Sequence, residues 1–365
     1  MDEKNNKKIS GKISHKITGE FMESINPRVK EYFKLLEPNF PEWLNEYINT
    51  KELLKQKYIS VTCGTIYSDL FESDFFFSSL DHSVAVALII WHFTNDKKQT
   101  LAGLFHDIST PVFKHCIDFL NGDYMSQEST EDLTKKFISD SEEIMSLLKR
   151  DGINISEVDD YHMYTIADND TPQLASDRLE YSLSNALFTY KISEFEEIKE
   201  IYNDLVVLKN ENGYDEISFK TKSIARKFVK ITSKLSVIYR EDRTRYSMQL
   251  IADIVKKLNI ESLIKIEDLY NYKEDDVIKI IENSKYGYMF NIWKNSKKVK
   301  VSSTKPEDVY FVHHGSKIRY IDPLVKGTRI SEICKIAKKE IEKNLSYDMN
   351  NYVYIEGINF KKIVG

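Results

Sequence analysis

His82, His106, Asp107 and Asp177 are the residues with the most chemistry to offer in this sequence. His106 and Asp107 are adjacent, at the end of the apolar stretch Thr100-Leu101-Ala102-Gly103-Leu104-Phe105. His82 stands 24 residues upstream, in Leu80-Asp81-His82-Ser83-Val84-Ala85-Val86. Asp177 stands 70 residues downstream, in Ala175-Ser176-Asp177-Arg178-Leu179-Glu180-Tyr181. Imidazole nitrogen and carboxylate oxygen together suit one divalent cation: manganese, iron, nickel, zinc or magnesium. Val84, Ala85, Val86 and Ile89 place His82 on a buried helical face, where an imidazole must find a partner or coordinate something. A buried carboxylate is costly unless it is paired or bound to metal, which applies to Asp107 and Asp177. Taken singly, each of the four is explained as well by core packing or helix capping. Taken together, they argue for a metal site.

The elements that must position these groups are helical. Glycine (12) and proline (7) are sparse among 365 residues, which favours helices over a turn-rich β fold. The pattern predicts helices over 81–93, 97–107, 112–120, 129–148, 174–190, 194–209, 220–239 and 244–258. The 81–93 stretch is apolar on most faces and should be central. Pro111 suits the first position of its helix. Ser129 or Thr130 caps the 129–148 helix, with Glu128 and Glu131 near its positive end. Past residue 297 the character changes. Residues 298–303 and 309–321 alternate as strands do, 330–344 returns to helix, and 352–356 reads as a strand. The fold class expected is mainly α, a helical bundle with a small C-terminal α+β appendage. Its parts are a flexible basic N-terminus (1–19), a helical domain (20–290) and a C-terminal region (291–365).

Composition narrows the function. Apolar residues are 41%, charged residues 30% and the net charge is −5, so no global basic field points to nucleic acid. The lysines at 4, 7, 8, 12 and 16 read as a solvated terminus, and Lys335, Lys338 and Lys339 are diluted by Glu332, Glu340 and Glu342. Cys63, Cys116 and Cys334 form no CxxC pair, which suits free thiols in a reducing cytoplasm. The N-terminus lacks the apolar core of a signal peptide, and the run from Val84 to Trp91 is too short to span a bilayer. The expectation is a cytoplasmic protein with no membrane partner. There is no Walker-type loop and no GxGxxG.

The order His82, His106-Asp107, Asp177 resembles the H…HD…D pattern of the HD-domain metal-dependent phosphohydrolase superfamily. His106-Asp107-Ile108-Ser109-Thr110-Pro111-Val112-Phe113-Lys114-His115-Cys116-Ile117-Asp118 is similar to the HDxGHxPFxHxxD segment of its deoxynucleoside triphosphate triphosphohydrolase branch. Asp177-Arg178-Leu179-Glu180-Tyr181 is similar to that branch's D-[RK]-x-[DE]-Y segment, and Leu80-Asp81-His82-Ser83 to its RxxHSL segment. The likeness spans residues 60–200. It implies that His82, His106, Asp107 and Asp177 ligate one divalent metal, and that His115 and Asp118 serve acid–base catalysis. It also implies that Arg178 and Tyr181 contact a phosphorylated small molecule, and that the chain forms homo-oligomers. Thr110 stands where the branch has a second histidine, and Ser79 where it has an arginine. Three readings therefore stay open: a triphosphohydrolase, a phosphomonoesterase of the 5'-nucleotidase kind, or a non-catalytic nucleotide sensor.

The remaining signals are weaker. Asp168 and Asp170, within Asp-Asn-Asp-Thr-Pro, read as turn residues, and His162 reads as a non-ligand. His313 and His314 are neighbours on an expected strand, where side chains point to opposite faces, so they do not form a paired site.

Overall fold

The computed structural model describes residues 21–125 and 133–362. The lysine-rich terminus, Glu128, Ser129, Thr130 and Glu131 lie outside the described residues. In chain order the main elements begin with α1 (Pro27–Leu36), α2 (Ser79–Thr94), α3 (Lys97–Phe105), α4 (Cys116–Leu120), α5 (Glu142–Arg150), α6 (Ser176–Ser184) and α7 (Phe195–Asn203). Two strands follow, β1 (Leu205–Lys209) and β2 (Asp215–Phe219), then α8 (Lys222–Ile238), α9 (Asp242–Ile260), α10 (Glu274–Asn283) and α11 (Gly287–Asn295). The rest comprises β3 (Lys300–Ser302), β4 (Phe311–Val312), β5 (Leu324–Val325), β6 (Thr328–Arg329), α12 (Lys335–Leu345) and β7 (Tyr352–Tyr354). The protein is mainly helical, and the described residues form two small sheets, of order β1-β2-β5-β6 and β3-β7-β4.

Among the described residues two large hydrophobic cores organise these elements, with a small third at Val86, Ile90 and Ala167. The first gathers α1, α2, α3, α6, α7 and α8, and takes in Ile321, Val325 and Ile341. The second is built on α9, with Phe113, Ile117, Trp293, Val312 and Val353 packed around it. α2 is the centre of the first core: Leu80 and every residue from Val84 to Ile90 are buried. Gly103 lets α3 lie against α2, because a Cβ there would meet Ile90 Cδ1 at 2.2 Å and Val86 Cγ1 at 3.3 Å. That close approach brings the start of α2 and the end of α3 together.

Several expected elements differ. The 194–209 helix ends at Asn203, and Leu205–Lys209 is a strand. Its run Leu-Val-Val-Leu prefers an extended backbone. An Asn-Gly turn folds it onto β2, with Asn210 Oδ1 accepting from the Asn212 and Tyr214 amides at 3.0 Å. The described part of the 129–148 helix is two helices, Thr134–Ser139 and α5, because Ser141 interrupts the first and caps the second. The 112–120 helix begins only at Cys116. Phe113 and Lys114 adopt left-handed backbone, φ 65° and 45°, which no helix accommodates. In 309–321 only Phe311–Val312 is a strand, and the remainder belongs to no helix or ladder.

A buried carboxylate ties the two halves of the chain. Glu274 at the head of α10 accepts from the Ser60 amide at 3.1 Å and from the Tyr67 hydroxyl at 2.9 Å. Burial pushes its carboxyl up to about 8 from an ordinary 4.5. The folded state therefore holds a proton that the unfolded chain has released between those values. Stability from this group is full below the ordinary value and is lost as pH rises toward 8. Glu274→Gln should flatten that slope. Urea midpoints at pH 5 and pH 8 check it: the gap between parent and variant should change in the variant's favour at pH 8. An identical pH dependence in both would contradict it.

Candidate active site

The capping box of α2 sets the first position. Ser78 N donates to Asp81 Oδ2 at 2.9 Å, and Asp81 N donates to Ser78 Oγ at 3.0 Å. This fixes the first turn, on which His82 points inward at 6% exposure. His106 follows the last residue of α3, and its Nδ1 donates to the Gly103 carbonyl at 2.7 Å. His82 Nδ1 donates to the fully buried carboxylate of Glu180, which also accepts from Tyr32 Oη at 3.3 Å. Each imidazole thus spends its Nδ1 proton on an acceptor, leaving Nε2 with a lone pair.

Those two lone pairs face each other. His82 Nε2 lies 3.2 Å from His106 Nε2. Asp177 Oδ1, at the start of α6, lies 3.2 Å from His82 Nε2 and 3.7 Å from His106 Nε2. Asp107 Oδ2 lies 3.9 Å from His82 Nε2 and 3.8 Å from His106 Nε2. Converging electron-rich atoms of this kind need a proton or a cation among them. The buried group His82, His106 and Asp107 could bind a metal ion. The mixed nitrogen and oxygen donors fit a divalent transition metal or magnesium. The titration of the site points the same way. Burial pulls the His82 imidazole down, yet the carboxylates of Glu180 and Asp177 more than reverse this and raise it to about 10. Burial likewise pushes Asp177 up, and the two imidazoles overcome it to hold the carboxyl at about 2. The site favours positive charge at its centre.

Lys114 is a functional candidate that the sequence did not disclose. The left-handed turn at Phe113 and Lys114 swings its side chain into the site, where Nζ lies 2.5 Å from Asp107 Oδ2 and donates to Ser79 Oγ at 3.2 Å. Left-handed backbone costs a non-glycine residue roughly 1–2 kcal/mol, and such strain concentrates at functional sites. Ser79 Oγ also approaches Asp107 Oδ2, at 3.4 Å. Thr110, the other departure from the resembled pattern, is buried, and its carbonyl accepts from Lys55 Nζ at 3.0 Å.

A cavity of about 430 Å³ opens from this centre, within the range of small-molecule sites. Its lining draws on both cores, with Tyr190, Tyr239 and Tyr320 from the first and Cys63 and Met248 from the second. His115 lines it, and Asp118, fully buried, bonds His115 Nδ1 at 2.8 Å. Arg178 lines it too. Its Nη2 donates to Asp168 Oδ1 at 3.1 Å, while its buried Nη1 meets no acceptor among the described residues. Asp168 therefore anchors Arg178, a role beyond the turn expected of it. His162 also reaches the cavity wall, with Nδ1 2.9 Å from Asp160 and Nε2 3.5 Å from Asp168. A π-helical turn, Asn185–Thr189, continues α6 and presents Asn185 and Tyr190 to the cavity beside Tyr181 and Tyr239. Asn185 Nδ2 donates to Tyr239 Oη at 3.0 Å. π-Turns of this kind mark functional sites, and no sequence pattern announced this one. His313 and His314 lie elsewhere and serve separate partners: the first stacks on Tyr352 at 3.9 Å, the second on Tyr124 at 4.6 Å.

Comparison with known proteins adds the following. No family model matches the chain. An uncharacterized protein of Bacillus subtilis, YdhJ, is 24% identical over 247 residues, covering 67% of this chain and 73% of that protein. A hypothetical protein from Aquifex aeolicus has a similar structure, with TM-score 0.59 and 18% identity over 87% of this chain and 93% of its own. A phosphohydrolase from Bacteroides thetaiotaomicron is similar to the same extent, with TM-score 0.59 and 14% identity over 86% of this chain and 96% of its own. At these identities the likeness establishes the fold. No helix among the described residues is long and apolar enough to cross a membrane.

Glu180 orients His82, so its loss should be felt at the metal and not in the fold. Glu180→Gln removes the charge with little change of shape. The expected result is roughly 10- to 100-fold weaker binding of manganese, the usual effect of losing a ligand's outer partner. Calorimetric titration with a thermal melt checks it. Unchanged affinity would show that Glu180 is a packing residue only.

Proposed function

We propose that this protein is an HD-type metal-dependent phosphohydrolase acting on a nucleotide or a related phosphorylated metabolite. One observation carries the reading: two imidazole nitrogens and two carboxylate oxygens converge in a cavity whose lining also supplies Lys114, Arg178 and His115. His82, His106, Asp107 and Asp177 hold one divalent cation in this reading. When bound, the cation supplies Lewis acidity toward a phosphoryl oxygen and acidifies water near neutral pH.

The chain's own groups do the rest. Arg178 offers its Nη1 to a phosphate oxygen, with Asp168 holding the guanidinium in place. Lys114 adds a second positive charge beside Asp107. Asp118 fixes the ring of His115 so that Nε2 can hold or deliver a proton in the cavity. Tyr181, Tyr190 and Tyr239 offer aromatic surface and hydroxyls to a planar group such as a nucleobase. A nucleotide sensor would use the same cavity. The His115–Asp118 pair favours the enzyme, since binding alone has no use for an oriented acid–base group. Both Ser79 and Thr110 leave the choice between triphosphate and monophosphate chemistry to the product. The free cysteines Cys63, Cys116 and Cys334 suit a reducing cytoplasm.

The test is a product screen on nucleoside mono-, di- and triphosphates, after metal stripping and re-addition of manganese, nickel, cobalt or magnesium. Activity should vanish on stripping and return on reloading. Tripolyphosphate as product marks a triphosphohydrolase, and orthophosphate from a monophosphate marks a nucleotidase. His82→Ala and Asp107→Asn should lose metal and turnover together. His115→Ala should keep its metal and lose kcat by roughly 100-fold, the usual worth of a positioned proton-transfer group. Full metal stoichiometry in His82→Ala, or binding without turnover of any substrate, would overturn the enzyme reading.

A further inference from the structure

His162 lines the cavity, and its ring is oriented as that of a proton-transfer group must be. It sits on the short turn Tyr161–Met163, which Asp160 caps. Asp160 Oδ1 accepts from the His162 amide at 3.0 Å and lies 2.9 Å from His162 Nδ1. One carboxylate thus fixes both the backbone and the ring. The turn is seated against α2 through the small core of Val86, Ile90 and Ala167, on which Tyr161 and Tyr164 pack. The Tyr161 ring touches two imidazoles, with centroids 4.3 Å from that of His162 and 5.1 Å from that of His106. His162 therefore stands one aromatic ring away from the metal end.

The pairing repeats that of His115, whose Nδ1 lies 2.8 Å from Asp118 Oδ2. In both, a carboxylate takes Nδ1, and Nε2 is the atom left for a ligand. His162 Nε2 lies 3.5 Å from Asp168 Oδ2, an ion-pair distance and too long for a tight hydrogen bond. The other oxygen of Asp168 accepts from Arg178 Nη2 at 3.1 Å. An anion held by Arg178 therefore comes close to His162. The side chain of His162 is also 54% exposed, against 33% for His115. Bulk water can return a proton to it after each turnover.

We propose that His162 is a further catalytic residue, the acid that protonates the leaving oxygen of the substrate. The inference rests on the phosphohydrolase reading and adds a residue to it. A water oxygen attacks phosphorus, and the bond from phosphorus to the substrate's ester oxygen breaks. That oxygen keeps the electron pair of the bond, takes the Nε2 proton of the His162 imidazolium and leaves as an alcohol. His115 Nε2 takes one proton of the attacking water, and the other stays on the phosphate product. Solvent then carries a proton from His115 to His162, and both rings are reset. The balance is the same whether the phosphate released is single or a chain of three.

The experiment uses the full chain loaded with manganese, as parent and as His162→Asn. The substrates are the nucleoside mono- and triphosphates of the product screen and 4-nitrophenyl phosphate. A nucleoside leaves as a strongly basic alkoxide and needs an acid, whereas 4-nitrophenolate leaves unaided. His162→Asn should lose kcat on nucleoside phosphates by about 100-fold, the usual worth of a positioned proton-transfer group, and on 4-nitrophenyl phosphate by no more than about threefold. KM, metal stoichiometry and melting temperature should stay at the parent's values. Where the cavity excludes 4-nitrophenyl phosphate, the pH profile reads the same property. A general acid must be protonated to act, so the parent's kcat falls at high pH, and that fall should be missing from His162→Asn. Equal losses on both substrates, no loss on either, or a high-pH fall that persists in the variant would overturn the role of His162. A parent that turns over no nucleoside phosphate would overturn the phosphohydrolase reading itself.

Discussion

The structure depends on an arrangement that is unfavourable without a proton or a cation at its centre. Two imidazoles are held edge to edge, Nε2 to Nε2 at 3.2 Å, with carboxylate oxygens beside them. Neither ring can turn away. Glu180 holds one Nδ1 and the Gly103 carbonyl holds the other. The geometry of α2 and α3 enforces the distance, and Gly103 permits it by leaving room for Ile90. The same residue thus supplies a backbone acceptor for His106 and the space that brings His106 to His82. Packing and chemistry meet at one glycine.

The cavity follows from there being two cores and not one. Metal-side residues come from α2, α3 and α6 of the first core, while His115 and Asp118 are carried by α4, packed in the second. Phe113, on the left-handed turn before α4, is buried in the second core, and Lys114 beside it reaches back to Asp107. The C-terminal segment passes from one core to the other, with Val312 in the second and Ile321 in the first. Residues separated by more than 200 positions in the chain, His106 and Arg319, therefore line one chamber.

How much of this was legible in the sequence depends on whether a residue's role is local. His82, His106, Asp107 and Asp177 were readable because their apolar surroundings mark each as a buried polar group; the structure gathers His82, His106 and Asp107 and sets Asp177 Oδ1 within 4 Å of both imidazoles. The pairing of His115 with Asp118 was readable from their three-residue spacing, although the helix starts later than Pro111 suggested. Lys114 was hidden, because a left-handed turn without glycine leaves no compositional trace. Glu180 was in plain view three residues after Asp177, yet only the fold shows that its carboxylate belongs to His82. Lys317 and Arg319 were misplaced within an expected strand. No ladder forms around them, and both residues line the cavity instead. The 205–209 strand was lost to a helical reading because its amphipathic start, at Phe195, resembles the helix that does form there.

The account stands on the claim that His82, His106, Asp107 and Asp177 hold one divalent cation. Titration of manganese into chelator-stripped protein, followed by paramagnetic resonance, measures this directly. The account predicts one tightly bound ion per chain in the parent and none in His106→Ala, with both proteins folded by circular dichroism. No bound ion in the parent, or one retained in His106→Ala, would contradict it.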